Sequence, residues 1–293
     1  MELSSLKAFI AVSESASFTE ASLRLFLTQP AVSKRIAALE EELGCALFDR
    51  IGRSITLTEA GRTLLPRARR VLDEVKEMRA AIANLSGEVS GELSLGTSHH
   101  IGLHRLPPIL RAYSHRYPQV DLNIHFYDSE DVCREVAQGV LELGLITLPS
   151  NLEEPLAQRV VWNDPQQVVV AHDHPLTEQP SVTIGELVAH PAILPARNTY
   201  TRQLIEEAFQ PYGVAPNVRL SSNYLETIKM MVSVGLGWSI LPACMVENDI
   251  AVVAVEGIRL CRRLGVVTHK QRSLTNAARA LLSLLELAAE RRL

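Results

Sequence analysis

The 293-residue chain has few cysteines, no net positive charge and no long apolar run. Its four cysteines lie far apart without a CxxC pair, which disfavours a zinc ribbon or a disulfide framework. The formal net charge is −4, so any DNA binding must come from a local basic patch. No apolar stretch reaches the ~18 residues of a membrane span, and the N-terminus lacks a signal-peptide pattern. We therefore expect a cytoplasmic protein without membrane contact, of about two domains.

Apolar residues up to Gly44 repeat at the spacing of three helices. The first contains Leu6 and Phe9, and the second covers roughly residues 19–26. A third helix is predicted from Thr28, a suitable N-cap, to Gly44, a suitable C-terminal residue. Two short helices, a tight turn and a third helix predict a helix-turn-helix.

The start of the third helix carries side chains that contact base edges and phosphates in a DNA major groove. Residues 28–35 include two basic residues and no acidic one. The following segment, "ALFDRIGRSITLT", predicts two short strands whose turn at residues 51–53 forms a wing beside the phosphate backbone; a solvated surface hairpin is the alternative. The predicted DNA-binding residues are Ser17, Thr28, Gln29, Pro30, Ser33, Lys34, Arg35, Arg50 and Arg53.

This block closely resembles the winged helix-turn-helix of LysR-type transcriptional regulators. The matching positions are residues 17–19, Ala21, 29–33, Ile36, 39–44, 47–50 and 57–61. One departure is Ser22, where the family usually has a second alanine, and serine is small enough to keep the packing of the second helix. The resemblance implies a DNA-binding regulator.

A long helix is predicted from Thr58 to about Leu85, with a mild kink at Pro66. Its apolar residues recur at steps of four and three, which is typical of a coiled-coil seam. The helix could instead pack on its own domain, but its opposite face is charged, and the family resemblance implies a dimerising linker. The predicted dimer contacts are Leu64, Val71, Val75, Met78 and Ile82.

The remaining two hundred or so residues alternate between predicted strands and helices, which indicates α/β architecture with largely parallel sheets. The segments "GELSLG", "YPQVDLNIHF", "GVLELGLIT" and "VSVGLGWSILP" resemble LysR-type counterparts. The resemblance implies two α/β subdomains similar to periplasmic solute-binding proteins. The overall prediction is an α+β multidomain protein: a winged helix-turn-helix, a long linker helix and a two-subdomain α/β effector domain.

The predicted domain boundaries follow from these patterns and from the resemblance. The DNA-binding domain covers residues 1–58, the linker helix and hinge 59–91, and the effector-binding domain 92–293. Within the last, the resemblance assigns subdomain I to residues 92–163 and 268–293, and subdomain II to residues 164–267.

Ligands of such folds bind at the carboxyl ends of strands and near helix N-termini. Applied to the predicted strands, this rule gives a donor-rich set with one arginine, which suits a small anion such as an organic acid or an amino-acid derivative. The predicted effector-binding residues are Thr97, Ser98, His99, His100, Ser129, Thr147, Arg197, Asn198, Thr199, Asn223 and Tyr224.

The stretch "GTSHHIGLHRLPP" contains His99, His100 and His104, which raises the question of a metal or catalytic site. His100 and His104 would share a helix face, but Gly102 and the following "LPP" predict a poor helix, and no neighbouring acid or cysteine completes a ligand set. Sequence neighbours such as Ser98 and His99 rarely form a catalytic pair. We expect no metal, no cofactor and no catalytic residue, with effector contact or packing as the roles of His99 and His100.

These observations predict a transcriptional regulator, not an enzyme. Its expected partners are double-stranded promoter DNA, a small-molecule effector, further copies of itself as a dimer of dimers, and RNA polymerase. Two alternatives stay open: a redox-sensing regulator using Cys133 or Cys244, and a solute-binding protein or enzyme on the C-terminal fold. The intact DNA-binding block disfavours a solute-binding protein, and the absence of a catalytic constellation in the sequence disfavours an enzyme.

Overall fold

A computed structural model describes residues 1–51, 54–85 and 87–290, which fall into two compact units, residues 1–85 and 86–293. In the first unit, three helices pack around one apolar core that includes Phe9, Ile36 and Leu39. The helices and strands of this unit are α1 (Leu3–Ser15), α2 (Phe18–Arg24), α3 (Gln29–Leu43), β1 (Phe48–Ile51), β2 (Ser54–Leu57) and α4 (Glu59–Leu85).

The predicted helix-turn-helix and the two strands of the wing are present. Thr28 occupies the N-cap of α3, and Gly44 ends the helix with a left-handed φ of 68°. Strands β1 and β2 pair antiparallel. The side chain of Glu40 on α3 accepts hydrogen bonds from the backbone N–H groups of Leu47 and Phe48, which fixes the start of the wing against the third helix.

The linker helix begins in close contact with the wing. The Thr58 hydroxyl donates to the carbonyl of Ala46 and accepts from the N–H of Gly61, 3.0 Å away. A Cβ atom on Gly61 would lie 2.3 Å from the carbonyl oxygen of Leu47. Glycine is therefore needed at this position because two backbone segments approach each other.

The second unit contains helices on both sides of a mixed sheet. Its longer elements are β3 (Gly91–Thr97), α5 (His99–His104), α6 (Pro107–Arg116), β4 (Val120–Phe126), α7 (Ser129–Ala137), β5 (Leu143–Thr147), β6 (Leu156–Val170), α8 (Ile184–Val188), β7 (Ala192–Leu194), α9 (Tyr200–Phe209), β8 (Val218–Ser221), α10 (Leu225–Ser233), β9 (Ser239–Pro242), β10 (Ala251–Val252), β11 (Leu260–His269) and α11 (Asn276–Glu290).

Apolar packing divides this unit into two lobes. Lobe I contains β3, β4, β5, α5, α6, α7 and α11, and lobe II contains β7 to β10 and α8 to α10. Strands β6 and β11 pair antiparallel and extend into both lobes. On β6, Trp162 packs in lobe I and Val168 in lobe II, while on β11 Leu264 packs in lobe I and Leu260 in lobe II.

The predicted domain boundaries stay a prediction, and the packing bears on one of them. The expected second crossing between subdomains lies at residues 267–268. Leu264 and Val266 already pack in lobe I, so the change of lobe along β11 lies near Arg262. The first crossing, expected after residue 163, lies beside Asp164, which is opposite Arg262 in the strand register.

The expectation of largely parallel sheets is wrong. The main sheet has the order β10-β6-β11-β5-β3-β4, with β9 also paired to β6. Strand β3 pairs in parallel with β4 and β5, but the pairs made by β6 and β11 are antiparallel. The reason is that the chain passes between the lobes on two long strands of opposite direction. Polar residues and Pro165 hid residues 156–166 of β6 from the sequence pattern.

The expectation of a poor helix after β3 is also wrong, because His99–His104 forms α5. Glycine suits position 102 of the helix because the Phe126 ring packs directly against it and takes the space of a side chain. A Cβ atom there would lie 2.3 Å from Cε1 of Phe126. Within the described residues, no helix has both the length and the apolar character that crossing a membrane requires.

Replacing Gly61 by alanine is expected to destabilise the N-terminal unit by about 1–3 kcal/mol, because the new methyl group overlaps a backbone carbonyl. Urea denaturation followed by circular dichroism measures this change. Gly185→Ala in α8 is the matched control, since its Cβ would meet only the Thr183 hydroxyl, at 3.9 Å. Equal unfolding midpoints for Gly61→Ala and the wild type would contradict the close approach.

Candidate functional site

The predicted DNA-binding residues of α3 occupy its first turns. Thr28, Gln29, Pro30 and Lys34 are exposed, while Ser33 and Arg35 are half-buried. The Gln29 side-chain amide donates to the Ser33 hydroxyl at 3.1 Å, which orders both groups on one face.

The other predicted DNA contacts lie on α2 and in the wing. Ser17 is the N-cap of α2, and its hydroxyl accepts from the N–H of Glu20 at 3.2 Å. Arg50 is in β1, where only its backbone is described, and Arg53 lies outside the described residues. The roles of these residues in DNA binding stay predictions.

The linker helix divides into two parts along its length. Near its start, Ala68 is fully buried in the core of the first unit and Leu64 packs partly against that core. Further along, Val75 is half-buried, and Met78 and Ile82 are 53% and 70% exposed. The first turns therefore pack on their own domain, while the later predicted dimer contacts leave apolar surface uncovered.

A crevice of about 230 Å³ lies between the two lobes of the second unit. Lobe I contributes the ends of β3, β4 and β5 and the starts of α5 and α7. Lobe II contributes residues just before and at the starts of α9 and α10, and β11 contributes Arg262. The lining residues are Ser98, His99, His100, Phe126, Tyr127, Asp128, Ser129, Glu130, Asp131, Thr147, Pro195, Thr199, Thr201, Asn223, Tyr224, Leu225 and Arg262.

Most of the predicted effector-binding residues line this crevice. They are Ser98, His99, His100, Ser129, Thr147, Thr199, Asn223 and Tyr224. Thr97 is buried with its hydroxyl donating to the Leu145 carbonyl at 2.9 Å, so it supports the sheet. Arg197 and Asn198 are exposed residues outside the lining. They lie in the loop between β7 and α9, in which Pro195 and Thr199 line the crevice instead.

Arg262 is the arginine that lines the crevice, and sequence reasoning missed it. It lies opposite Asp164 in the pairing of β11 with β6, and both side chains are buried. The Arg262 guanidinium donates to one Asp164 oxygen at 2.7 and 3.0 Å, and Arg105 donates to the other at 3.1 Å. Only the register between two strands distant in sequence reveals this pair.

The crevice also contains acidic residues that the sequence did not single out, namely Asp128, Glu130 and Asp131. They flank the start of α7, where carboxylates interact favourably with the helix dipole. Burial raises the pKa of Glu130, although hydrogen bonds from its own backbone and from the N–H of Tyr200 oppose the rise. The lining therefore has three carboxylic acids and one arginine.

Several polar contacts join the lobes across the crevice. The Asn223 side-chain amide donates to Asp128 at 2.6 Å, and the N–H of Tyr200 donates to Glu130. The rings of His99 and Tyr224 meet edge to face with centroids 5.2 Å apart. These contacts hold the starts of α5 and α7 in lobe I to the starts of α9 and α10 in lobe II, so their loss or replacement by a ligand would alter the relation between the lobes.

A histidine pair lies at one end of the crevice. His100 and His104 share a face of α5 with ring centroids 4.7 Å apart, and His104 Nε2 lies 3.0 Å from Oε1 of Glu226 on α10. Burial, together with the nearby Arg262 guanidinium, lowers the pKa of His100 to about 3, so this imidazole is neutral at pH 7.

The two cysteines considered for redox sensing lie in environments that suppress thiolate formation. Cys133 is buried on α7, and burial raises the pKa of its thiol. Cys244 keeps part of its surface in solvent, yet burial of the remainder and the Asp164 carboxylate raise its pKa as well. Because the thiolate is the reactive form, these environments disfavour the redox-sensing alternative.

Two family models match the chain and together span most of it. Residues 3–62 match the bacterial regulatory helix-turn-helix protein, lysR family, and residues 86–289 match the LysR substrate binding domain. A curated relative, the uncharacterized HTH-type transcriptional regulator YeiE of Escherichia coli (strain K12), is 34% identical over 286 residues, covering 96% of this chain and 95% of its own.

Solved structures share the fold. Full-length CbnR in complex with its target DNA has a TM-score of 0.67 at 23% identity, covering 100% of this chain and 99% of its own. The effector-binding domain of QuiR in complex with shikimate has a TM-score of 0.63 at 17% identity, covering 69% and 98%. The two family models match the helix-turn-helix unit and the two-lobed unit, respectively. This chain therefore belongs to the LysR family of DNA-binding transcriptional regulators and is not an enzyme.

Proposed function

We propose that this regulator binds promoter DNA as a dimer of dimers and that a small molecule carrying both an acidic and a cationic group switches it by binding in the crevice. The observation that carries the proposal is the crevice, whose walls come from both lobes. The same walls include hydroxyl groups and carboxylic acids. The bacterial cytoplasm, where DNA and RNA polymerase are found, is the proposed location.

The α3 face gives this chain its means of reading an operator. Gln29 and Ser33 offer amide and hydroxyl groups that can hydrogen-bond to base edges, and Lys34 offers a charge for phosphates. The DNA complex of CbnR supports this use of the family's helix-turn-helix. Paired subunits would place two such helices about one turn of duplex apart.

Gln29→Ala and Ser33→Ala are each expected to reduce discrimination between operator and unrelated DNA by about 10- to 100-fold, since a lost base contact costs ~1–3 kcal/mol. Lys34→Ala is the contrasting variant. It should weaken binding to both DNAs alike. It should also reduce the slope of log affinity against log salt concentration by about one. Fluorescence anisotropy at several salt concentrations separates the two effects. Unchanged discrimination in both α3 variants would contradict the assignment.

The later half of α4 provides the dimer seam. Val71, Met78 and Ile82 leave apolar side chains exposed in the single chain, and burying each one contributes ~1.5–3 kcal/mol. A second chain that supplies the same row would cover them, as in a coiled coil. Tetramer formation through the regulatory units and contact with RNA polymerase complete the proposed assembly at a promoter.

The double variant Val71→Asp with Val75→Asp is expected to yield monomers in sedimentation velocity, because carboxylates cannot be buried unpaired in an apolar seam. Arg70→Asp is the matched control, since Arg70 lies on the charged face and is exposed. The control should stay oligomeric. A persistent dimer in the double variant would overturn the seam.

The charge of the crevice refines the expected effector. The hydroxyls of Ser98, Ser129 and Thr147 suit an acidic group, while Asp128 and Asp131 suit a cationic one. Arg262 already pairs with Asp164, so it has less capacity to neutralise a simple dianion. Of the two predicted classes, an amino-acid derivative therefore fits better than an organic acid. The effector-binding domain of QuiR, which has the same fold, is solved in complex with shikimate, and this supports a small polar effector.

Thr147→Val is expected to weaken effector binding by about 10- to 100-fold, because a hydrogen bond to a charged group contributes ~1.5–3 kcal/mol. Operator affinity without effector should stay unchanged. Asn198→Ala is the matched control, being a predicted effector residue that lies outside the lining. A thermal-shift screen of amino acids, simple carboxylic acids and simple amines selects the effector used. Preference for simple acids would contradict the refined effector class, and equal loss of operator affinity would contradict the role of Thr147.

A further inference from the structure

Three potential metal ligands converge from both lobes at the histidine end of the crevice. His100 and His104 come from α5 of lobe I, and Glu226 comes from the first turn of α10 in lobe II. One ligand atom from each of them lies within 4.8 Å of the other two. A tetrahedral zinc site with bonds of about 2.0–2.1 Å places its ligand atoms about 3.3 Å apart, so small side-chain rotations complete such a site.

His100 provides a second and independent indication. His100 is only 5% exposed, yet neither of its ring nitrogens has a hydrogen-bond partner among the described residues. The Oε2 atom of Glu226 is likewise buried without a partner in this part of the chain. Buried polar atoms are nearly always paired, so a histidine with two unpaired nitrogens beside another histidine and a carboxylate suits a ligand that bonds to all three side chains.

A rival set around the same histidine is less suitable. His100, Asp164 and Cys244 also place ligand atoms within 4.8 Å of one another. Both carboxylate oxygens of Asp164, however, already accept hydrogen bonds from arginines, and Gln166 donates to one of them at 2.7 Å. Using Asp164 as a ligand would break this buried network. Glu226, in contrast, has one oxygen, Oε2, without a hydrogen-bond partner among the described residues.

We propose that His100, His104 and Glu226 bind one divalent first-row transition metal ion, of which Zn²⁺ is the best fit, and that this ion links the two lobes. Two imidazoles and one carboxylate are ligands that Zn²⁺ prefers over Mg²⁺ or Ca²⁺. His104 and Glu226 have side chains 39% and 36% exposed, which gives the ion a path from solvent and room for water as a fourth ligand.

Zn²⁺ binding can be tested on the purified full-length protein without DNA or effector. Untagged protein, stripped with a chelator, is titrated with Zn²⁺ by calorimetry, with Mg²⁺ and Ca²⁺ as comparison ions. One Zn²⁺ per chain is expected, with no comparable binding of the other two ions. Saturating Zn²⁺ should raise the melting temperature by about 5–10 °C, because binding stabilises the folded state.

His104→Ala and Glu226→Gln are each expected to weaken Zn²⁺ binding at least about tenfold, since even outer-shell changes weaken metal sites by 10–100-fold. His190→Ala is the matched control. His174 and His190 also place their ring centroids 4.7 Å apart, but among the described residues no group of metal ligands includes them. This control should bind Zn²⁺ like the wild type.

Wild-type protein that binds no Zn²⁺ would overturn the proposal, as would full binding in both ligand variants or loss of binding in His190→Ala. Equal binding of Mg²⁺ would also overturn it, because that result indicates a nonspecific acidic surface. If the ligand variants fail to fold by circular dichroism, X-ray absorption of the Zn²⁺-loaded wild type decides. Two imidazoles with oxygen ligands support the site, and sulfur ligation or a single imidazole refutes it.

Discussion

The two-lobed unit depends on the pairing of β6 with β11, and within it on the buried ion pair between Asp164 and Arg262. These strands carry the chain from one apolar core to the other, and the pair lies where both strands change lobes. A buried charge that loses its partner costs ~3–5 kcal/mol, so the crossing point is held in one register. The same guanidinium reaches the crevice, where it donates to the Thr201 hydroxyl at 3.3 Å. Arg262 therefore belongs both to the strand crossing between the lobes and to the wall of the crevice.

Residues on both sides of this crossing meet across the crevice through a small number of polar contacts. Asn223 with Asp128, Tyr200 with Glu130, and His104 with Glu226 each join an element of lobe I to one of lobe II. Each contact uses a group that a ligand could also engage. An effector or a metal ion would thus act on the same contacts that set the lobe arrangement, and differential binding to two arrangements is what allosteric control requires.

Local sequence signals predicted the first unit well because its determinants are close in the chain. The caps of α3 at Thr28 and Gly44, the apolar face through Ile36, and the two wing strands all follow from spacing and turn chemistry. The second unit was predicted less well. Residues 156–166 of β6 include polar residues and Pro165, which break the pattern of a strand. The direction of β6 and β11 depends on pairing between residues about one hundred positions apart.

The sequence by itself determined the family, the helix-turn-helix and eight of the seventeen residues that line the crevice, because motif spacing and strand ends are local properties. The tertiary structure alone decided that Arg197 lies outside the crevice and Arg262 inside it, and that three carboxylates make its charge more acidic than expected. It also brought Glu226 to the histidines of α5, which lie more than one hundred and twenty residues earlier. Charge balance and ligand sets depend on which distant segments pack together, and that packing is not encoded in any single stretch of sequence.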